Sequence, residues 1–104
     1  MLDPSLLQEI RLRLIQAFGE RLQGIVLYGS RVRGDAEPDS DLDVFVLVAG
    51  PIHLGKDLTR IVEALYPLQL RLGLPIHGLP VTAEQWGQGT YAVYREAQRE
   101  GLML

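Results

Sequence analysis

The chain has no cysteine. Disulfides, zinc-thiolate sites and thiol catalysis are therefore excluded, and the sequence suits a reducing compartment. It has no apolar stretch near the ~20 residues that span a bilayer. Its N-terminus has no cleavable apolar core, and Asp3 and Glu9 fall within its first turns. A cytoplasmic protein with no membrane association is expected. Dense basic clusters are missing too. Ten Lys and Arg are scattered through 104 residues, against thirteen Asp and Glu, for a formal net charge of -3. Proteins that grip long nucleic acid through its phosphates need a more basic surface. A single nucleotide, which needs only a few local donors and a metal, is not excluded. Repeats and linkers are also lacking. The length suits one domain, and the 47% apolar share suits a folded one.

Asp3 and Pro4 read as an N-cap and a first helical residue. Leu7, Ile10, Leu14, Phe18 and Leu22 recur at helical spacing, which predicts a helix ending near Gln23-Gly24. Arg11, Arg13, Gln16 and Arg21 lie off that stripe and read as a solvated face. Residues 25–28 form a short apolar run between Gly24 and Gly29, a buried strand with Tyr28 in the core. Leu42–Val48 is a stronger strand, rich in β-branched residues and closed by Gly50-Pro51. Residues 57–72 predict a helix with the stripe Leu58, Ile61, Val62, Leu65 and Leu68, stopped by Gly73. Pro67 should kink or break it. Residues 74–81 make a poorer strand, whose Pro75, Gly78 and Pro80 suit an edge position. Thr82 and Gln85 form a capping box before a short helix over 83–86. Residues 91–100 predict a last helix with Gly101 as its C-cap. Trp86, Tyr91 and Tyr94 read as core or interface rather than as a base-stacking platform. The expected class is α/β of the α+β kind, a small mixed sheet with helices on one face.

The most informative stretch runs from Gly29 to Asp43. Along a strand, Asp41 and Asp43 share one side, with Phe45 and Leu47 continuing the row. Leu42, Val44, Val46 and Val48 line the other side. Short carboxylates two residues apart can converge on one ion. Mg²⁺ takes one or two carboxylates and completes its shell with water and phosphate oxygens. An acidic surface loop accounts for Asp35, Glu37 and Asp39, but poorly for Asp43, which sits inside an apolar run. Upstream, Gly29 lets a phosphate approach the backbone. Successive N–H groups after a strand make an anion-binding concavity, strengthened if a helical turn opens at Ser30. Ser30 adds a hydroxyl, and Arg31 or Arg33 adds charge. The turn lacks the Gly-Lys-Ser/Thr ending of a P-loop and the spacing of a dinucleotide fingerprint.

Gly29-Ser30, ten residues, then Asp41-Leu42-Asp43 resembles the pattern of nucleotidyltransferases of the DNA polymerase beta type. Arg31, Arg33 and Gly34 also fit its smallest members, the minimal nucleotidyltransferase (MNT) domains. The resemblance covers essentially the whole chain, residues 1–104, as one minimal domain of nucleotidyltransferase fold. It implies that Ser30 and its backbone neighbours hold a triphosphate and that Asp41 and Asp43 bind the catalytic metals, Mg²⁺ or Mn²⁺, with ATP as substrate. Members of the family modify antibiotics, RNA, proteins or other acceptors. Free-standing minimal domains are often paired with HEPN proteins, small helical RNases, as toxin–antitoxin modules. Some adenylylate a tyrosine of that partner. Three functions follow. The first is metal-dependent transfer of AMP to a hydroxyl of a partner protein, with the chain as antitoxin. The second is a degenerate domain that neutralises a toxin by binding alone. The third is a small-molecule, aminoglycoside-type nucleotidyltransferase subunit. One departure matters. Active members commonly supply a third carboxylate from the later strand, and residues 74–81 contain only His77 as an ionisable side chain. His77 is therefore the further candidate ligand. The apolar tail Leu102-Met103-Leu104 is expected to be free to dock on a neighbouring subunit, which leaves a homo-oligomer open.

Overall fold

A computed structural model describes residues 3–34 and 41–104, with nothing described of the Arg33 side chain. Asp35, Glu37 and Asp39, read above as a surface loop, lie outside the described residues. Helix α1 spans Pro4–Phe18, with the Asp3 side chain accepting from the Ser5 N–H. It ends earlier than the stripe predicts. Gly19 takes a positive φ of 57° at its C-cap, and a short 3₁₀ turn, Gly19–Arg21, leads into β1 (Leu22–Tyr28). Leu22 thus belongs to the strand. A single helical turn, α2 (Ser30–Arg33), precedes β2 (Leu42–Val48). Then come α3 (Leu54–Leu72), β3 (Ile76–Thr82), α4 (Ala83–Gln88), α5 (Ala92–Glu100) and β4 (Leu102–Met103).

The four strands form one mixed sheet in the order β3-β2-β1-β4. β1 runs antiparallel to β2 and β4, and β2 runs parallel to β3. Helices cover both faces, not one. Leu6, Ile10, Leu14 and Phe18 of α1 pack with Ile61, Leu65 and Leu68 of α3 on the row Leu42, Val44, Val46 and Val48. On the opposite face, Trp86 of α4 and Tyr94 and Ala97 of α5 pack on Val26, Phe45, Leu47 and Val81. Alternation along β2 therefore feeds two cores, as expected of a strand covered on both sides. Trp86 and Tyr94 are core, as read from sequence, and Tyr91 is exposed.

α3 is continuous through Pro67, against the expected kink or break. Pro67 faces solvent, while Ile61, Leu65 and Leu68 anchor the helix to the sheet on either side of it. Their burial outweighs the missing backbone bond. The buried stripe also differs from the predicted one at Val62, which is exposed. The C-terminal tail is not free. It pairs with Val26 and Leu27, and Leu104 N–H donates to Ile25 C=O at 2.9 Å. Two β residues preceded by a helix carry too weak a periodicity to be read as a strand.

Arg21 is not solvated either. Its guanidinium donates to both carboxylate oxygens of Asp57, at 2.9 and 3.0 Å, and Asp57 is 2% exposed. Asp57 also accepts from the His53 N–H at 3.1 Å. This pair ties the start of β1 to the first turn of α3. The guanidinium holds the Asp57 carboxyl below the usual carboxylate range, against an opposing effect of burial, with the His53 N–H adding to the lowering.

Candidate functional site

The register of the sheet brings the predicted residues together. Tyr28 on β1 lies opposite Asp43 on β2, and Asp43 lies opposite His77 on β3. The three form one row across the strands, at the C-terminal end of β1 and the N-terminal ends of β2 and β3. Asp43 shares the face of Phe45 and Leu47, the side covered by α4 and α5. Asp41 stands just before β2, exposed, with its Oδ2 at 2.8 Å from His77 Nε2. His77 therefore occupies the place beside the carboxylates where the sequence offers no third acid.

Gly29 ends β1 with φ 114° and ψ -175°, a backbone region that essentially only glycine adopts. It is buried. A Cβ there would stand 3.3 Å from Asp43 Oδ2 and 3.8 Å from the Asp41 carbonyl oxygen. The glycine turn and the Asp43 carboxylate are thus in direct apposition, although Asp43 lies fourteen positions after Gly29 in sequence. α2 starts immediately. Val32 N–H donates to Gly29 C=O at 3.1 Å and Gly34 N–H to Ser30 C=O at 2.9 Å, which fixes Ser30 at the head of the turn. The expected helical turn at Ser30 is present. Ser30 and Arg31 are partly buried beside the site.

Asp43 is half-buried, and burial pushes its carboxyl above the ordinary range. The His77 ring beside it opposes that shift, and the Asp41 charge adds to it. Among the described residues, no group of three or more His, Cys, Asp or Glu side chains is already assembled for a metal. The donor chemistry nonetheless suits a hard cation. The Asp43 carboxylate lies beside the bare backbone of Gly29 and feels the charge of Asp41, and Mg²⁺ takes one or two carboxylates and fills the rest of its shell with phosphate oxygens and water.

Tyr28 was legible only as core. It is partly exposed, its ring stacks toward Phe45 at 6.4 Å between centroids, and its hydroxyl donates to a Glu96 carboxylate oxygen at 3.0 Å. It walls the site on the side away from His77. Its place directly before Gly29 was the available signal.

The sequence profile of the nucleotidyltransferase domain family matches residues 7–95. No curated protein sequence matches the chain significantly. Two solved structures share its fold. One is a chain of the toxin-antitoxin MntA-HpeT in a mutant form, 19% identical, with a TM-score of 0.58, covering 100% of this chain and 72% of that one. The other is a chain of a toxin-antitoxin with AMP-PNP, 20% identical, with a TM-score of 0.57, covering 92% of this chain and 70% of that one. Among the described residues, no helix is long and apolar enough to cross a membrane.

Proposed function

The chain belongs to the nucleotidyltransferase domain family, and from that premise we propose that it transfers AMP from ATP to a hydroxyl of a partner protein. In this reading it is the antitoxin of a HEPN-type pair, working in the cytoplasm. The carrying observation is the apposition of Gly29 and Asp43, which joins a phosphate-binding turn to a carboxylate pair. The fold shared with toxin-antitoxin chains, one of them described with AMP-PNP, supports the choice of partner and nucleotide.

Ser30 and the N–H groups of its turn would orient the phosphates, with Arg31 and Arg33 supplying charge. Asp41 and Asp43 would hold Mg²⁺ or Mn²⁺. When bound, the ion supplies a Lewis acid that lowers the pKa of the attacking hydroxyl and offsets charge on the leaving pyrophosphate. His77 would hold Asp41 in one orientation through the 2.8 Å contact, a common role for a group just behind a metal ligand. The acceptor oxygen bonds to the α-phosphorus, the bond from that phosphorus to the bridging oxygen breaks, and pyrophosphate leaves. The hydroxyl proton passes to solvent. Tyr28 excludes water from one side of Asp43.

A second reading is neutralisation by binding alone. One observation favours it: β3 carries His77 and neither Asp nor Glu. Intact-mass spectrometry of a HEPN-type partner protein, after incubation with the chain, ATP and Mg²⁺ or Mn²⁺, separates the two. One or more added AMP groups, lost with Asp41→Ala and with Asp43→Ala, is the expected result. An unshifted mass with both metals, together with full toxin neutralisation by the double variant, would overturn the transferase.

A further inference from the structure

We propose that the outer edge of β3 is where the acceptor segment docks, adding to the sheet as an extended strand; this rests on the transferase reading above. β3 is an edge strand of the sheet. Leu42 N–H donates to Pro75 C=O at 3.0 Å, with Leu42 in register with Ile76 and Val44 with Gly78. In a parallel ladder that pattern turns the backbone groups of Ile76, Gly78 and Pro80 away from β2. Ile76 N–H is taken by the Gln69 side chain at 3.0 Å, and Pro80 has no N–H. Gly78 is left to present an N–H and a C=O outward, flanked by the Ile76 carbonyl. That is the hydrogen-bonding face of an incoming strand. A docking helix satisfies its own backbone and would leave these groups unpaired.

The edge borders a cavity of about 300 Å³ lined by Ile61, Val62, Leu65, Tyr66, Ile76 and His77, among others. Among the described residues, no Asp, Glu, Lys or Arg lines it. Val62 and Tyr66 are 55% and 47% exposed despite their apolar surface. The occupant is therefore uncharged where it meets this wall. Alternation gives it a pattern: an apolar side chain facing Val62 and Tyr66, and its neighbour in sequence facing His77, Asp41 and Asp43.

The probe is a peptide of alternating valine and threonine with one central tyrosine, titrated at millimolar concentration into the full chain, labelled with ¹⁵N, with no nucleotide or metal present. Expected are amide shifts centred on residues 76–80 and slowed exchange of the Gly78 amide. Val62→Lys should weaken binding about tenfold, whereas Leu12→Lys, on the exposed side of α1, should leave it unchanged. A peptide with proline at every second position should not bind. Shifts centred elsewhere, equal binding by the proline peptide, or no response at Gly78 would overturn the proposal. Because the titration contains no nucleotide, its failure leaves the transferase reading standing. Failure of that reading would appear instead in the mass spectrum of the partner.

Discussion

Gly29→Ala tests the core of the site argument, because the backbone at this residue and the position of Asp43 constrain each other. At φ 114° and ψ -175°, an alanine pays steric strain whatever the room around it. Such outliers cost of order 1–3 kcal/mol. The room is also short, since the added Cβ meets Asp43 Oδ2 at 3.3 Å. Asp43 can give by a few tenths of an ångström, so this contact adds little to the strain. A loss of about 2 kcal/mol is expected, or roughly 10 °C in Tm for a domain of this length. Chemical and thermal unfolding without nucleotide measure it. Gly55→Ala is the control. Gly55 sits in the first turn of α3 with open space around its Cβ position, and alanine there should stabilise by about 0.5 kcal/mol. In calorimetry with MgATP, Gly29→Ala should also bind more weakly, because the methyl group fills the concavity and displaces a proposed ligand. If Gly29→Ala matched the wild type in both stability and nucleotide affinity, neither the strained turn nor its apposition to Asp43 would matter, and the site as drawn would be wrong.

The two carboxylates withdrawn from water should respond to pH in opposite directions. Asp57→Ala breaks a bidentate pair whose acid is 2% exposed, and should cost about 3 kcal/mol at pH 7, toward the lower end for buried pairs because the Arg21 side chain is 33% exposed. The Asp57 carboxyl is lowered in the fold, so its contribution is present above the unfolded pKa of about 4 and is lost as pH falls through the folded value; the gap between the urea midpoints of wild type and variant should be full at pH 7 and should narrow as pH falls below about 4, and a gap that stays constant would refute the linkage. Asp43→Asn should do the reverse. Its carboxyl is raised by burial, so the ionised form destabilises the fold at neutral pH, and the variant should be more stable at pH 7, with the gain fading as pH falls through the raised folded value and gone below about pH 4. The same variant should lose the calorimetric heat of MgATP binding, and retained binding would remove Asp43 from the site.

Much of this arrangement is legible in the sequence, and the failures have physical causes. Thr82 caps α4 by accepting from the Gln85 N–H, as its spacing with Gln85 predicts. β2 has its predicted limits because β-branched periodicity and flanking turn residues agree there. Pro75, Gly78 and Pro80 correctly mark β3 as an edge. What the sequence hides is long-range pairing. Nothing local says that Arg21 will meet Asp57, that the tail will join β1, or that a second pair of helices will close the other face of the sheet. Pro67 misleads because helix propensity is a local quantity, while α3 is held by side chains on the sheet. Likewise the motif announces Asp41 and Asp43, but only the register of β2 with β3 sets His77 beside them.

Asp57 shows why a buried acid alone does not identify a site. It is more buried than Asp43, yet two guanidinium bonds and a backbone N–H satisfy it, and its charge stabilises the fold. Asp43 stands next to a like charge, and among the described residues no hydrogen bond reaches it. Gly29 adopts a conformation that other residues avoid, and His77 keeps a polar ring on an otherwise apolar strand edge. The buried Asp43 charge and the Gly29 backbone each cost stability, and both lie beside His77 at one end of the sheet. Unfavourable features gathered at one place point to a position shaped by function rather than by folding. In the proposed reading, a cation would answer the charge of Asp43 and Asp41, the phosphates would lie beside Gly29, and the imidazole of His77 would hold Asp41 in place.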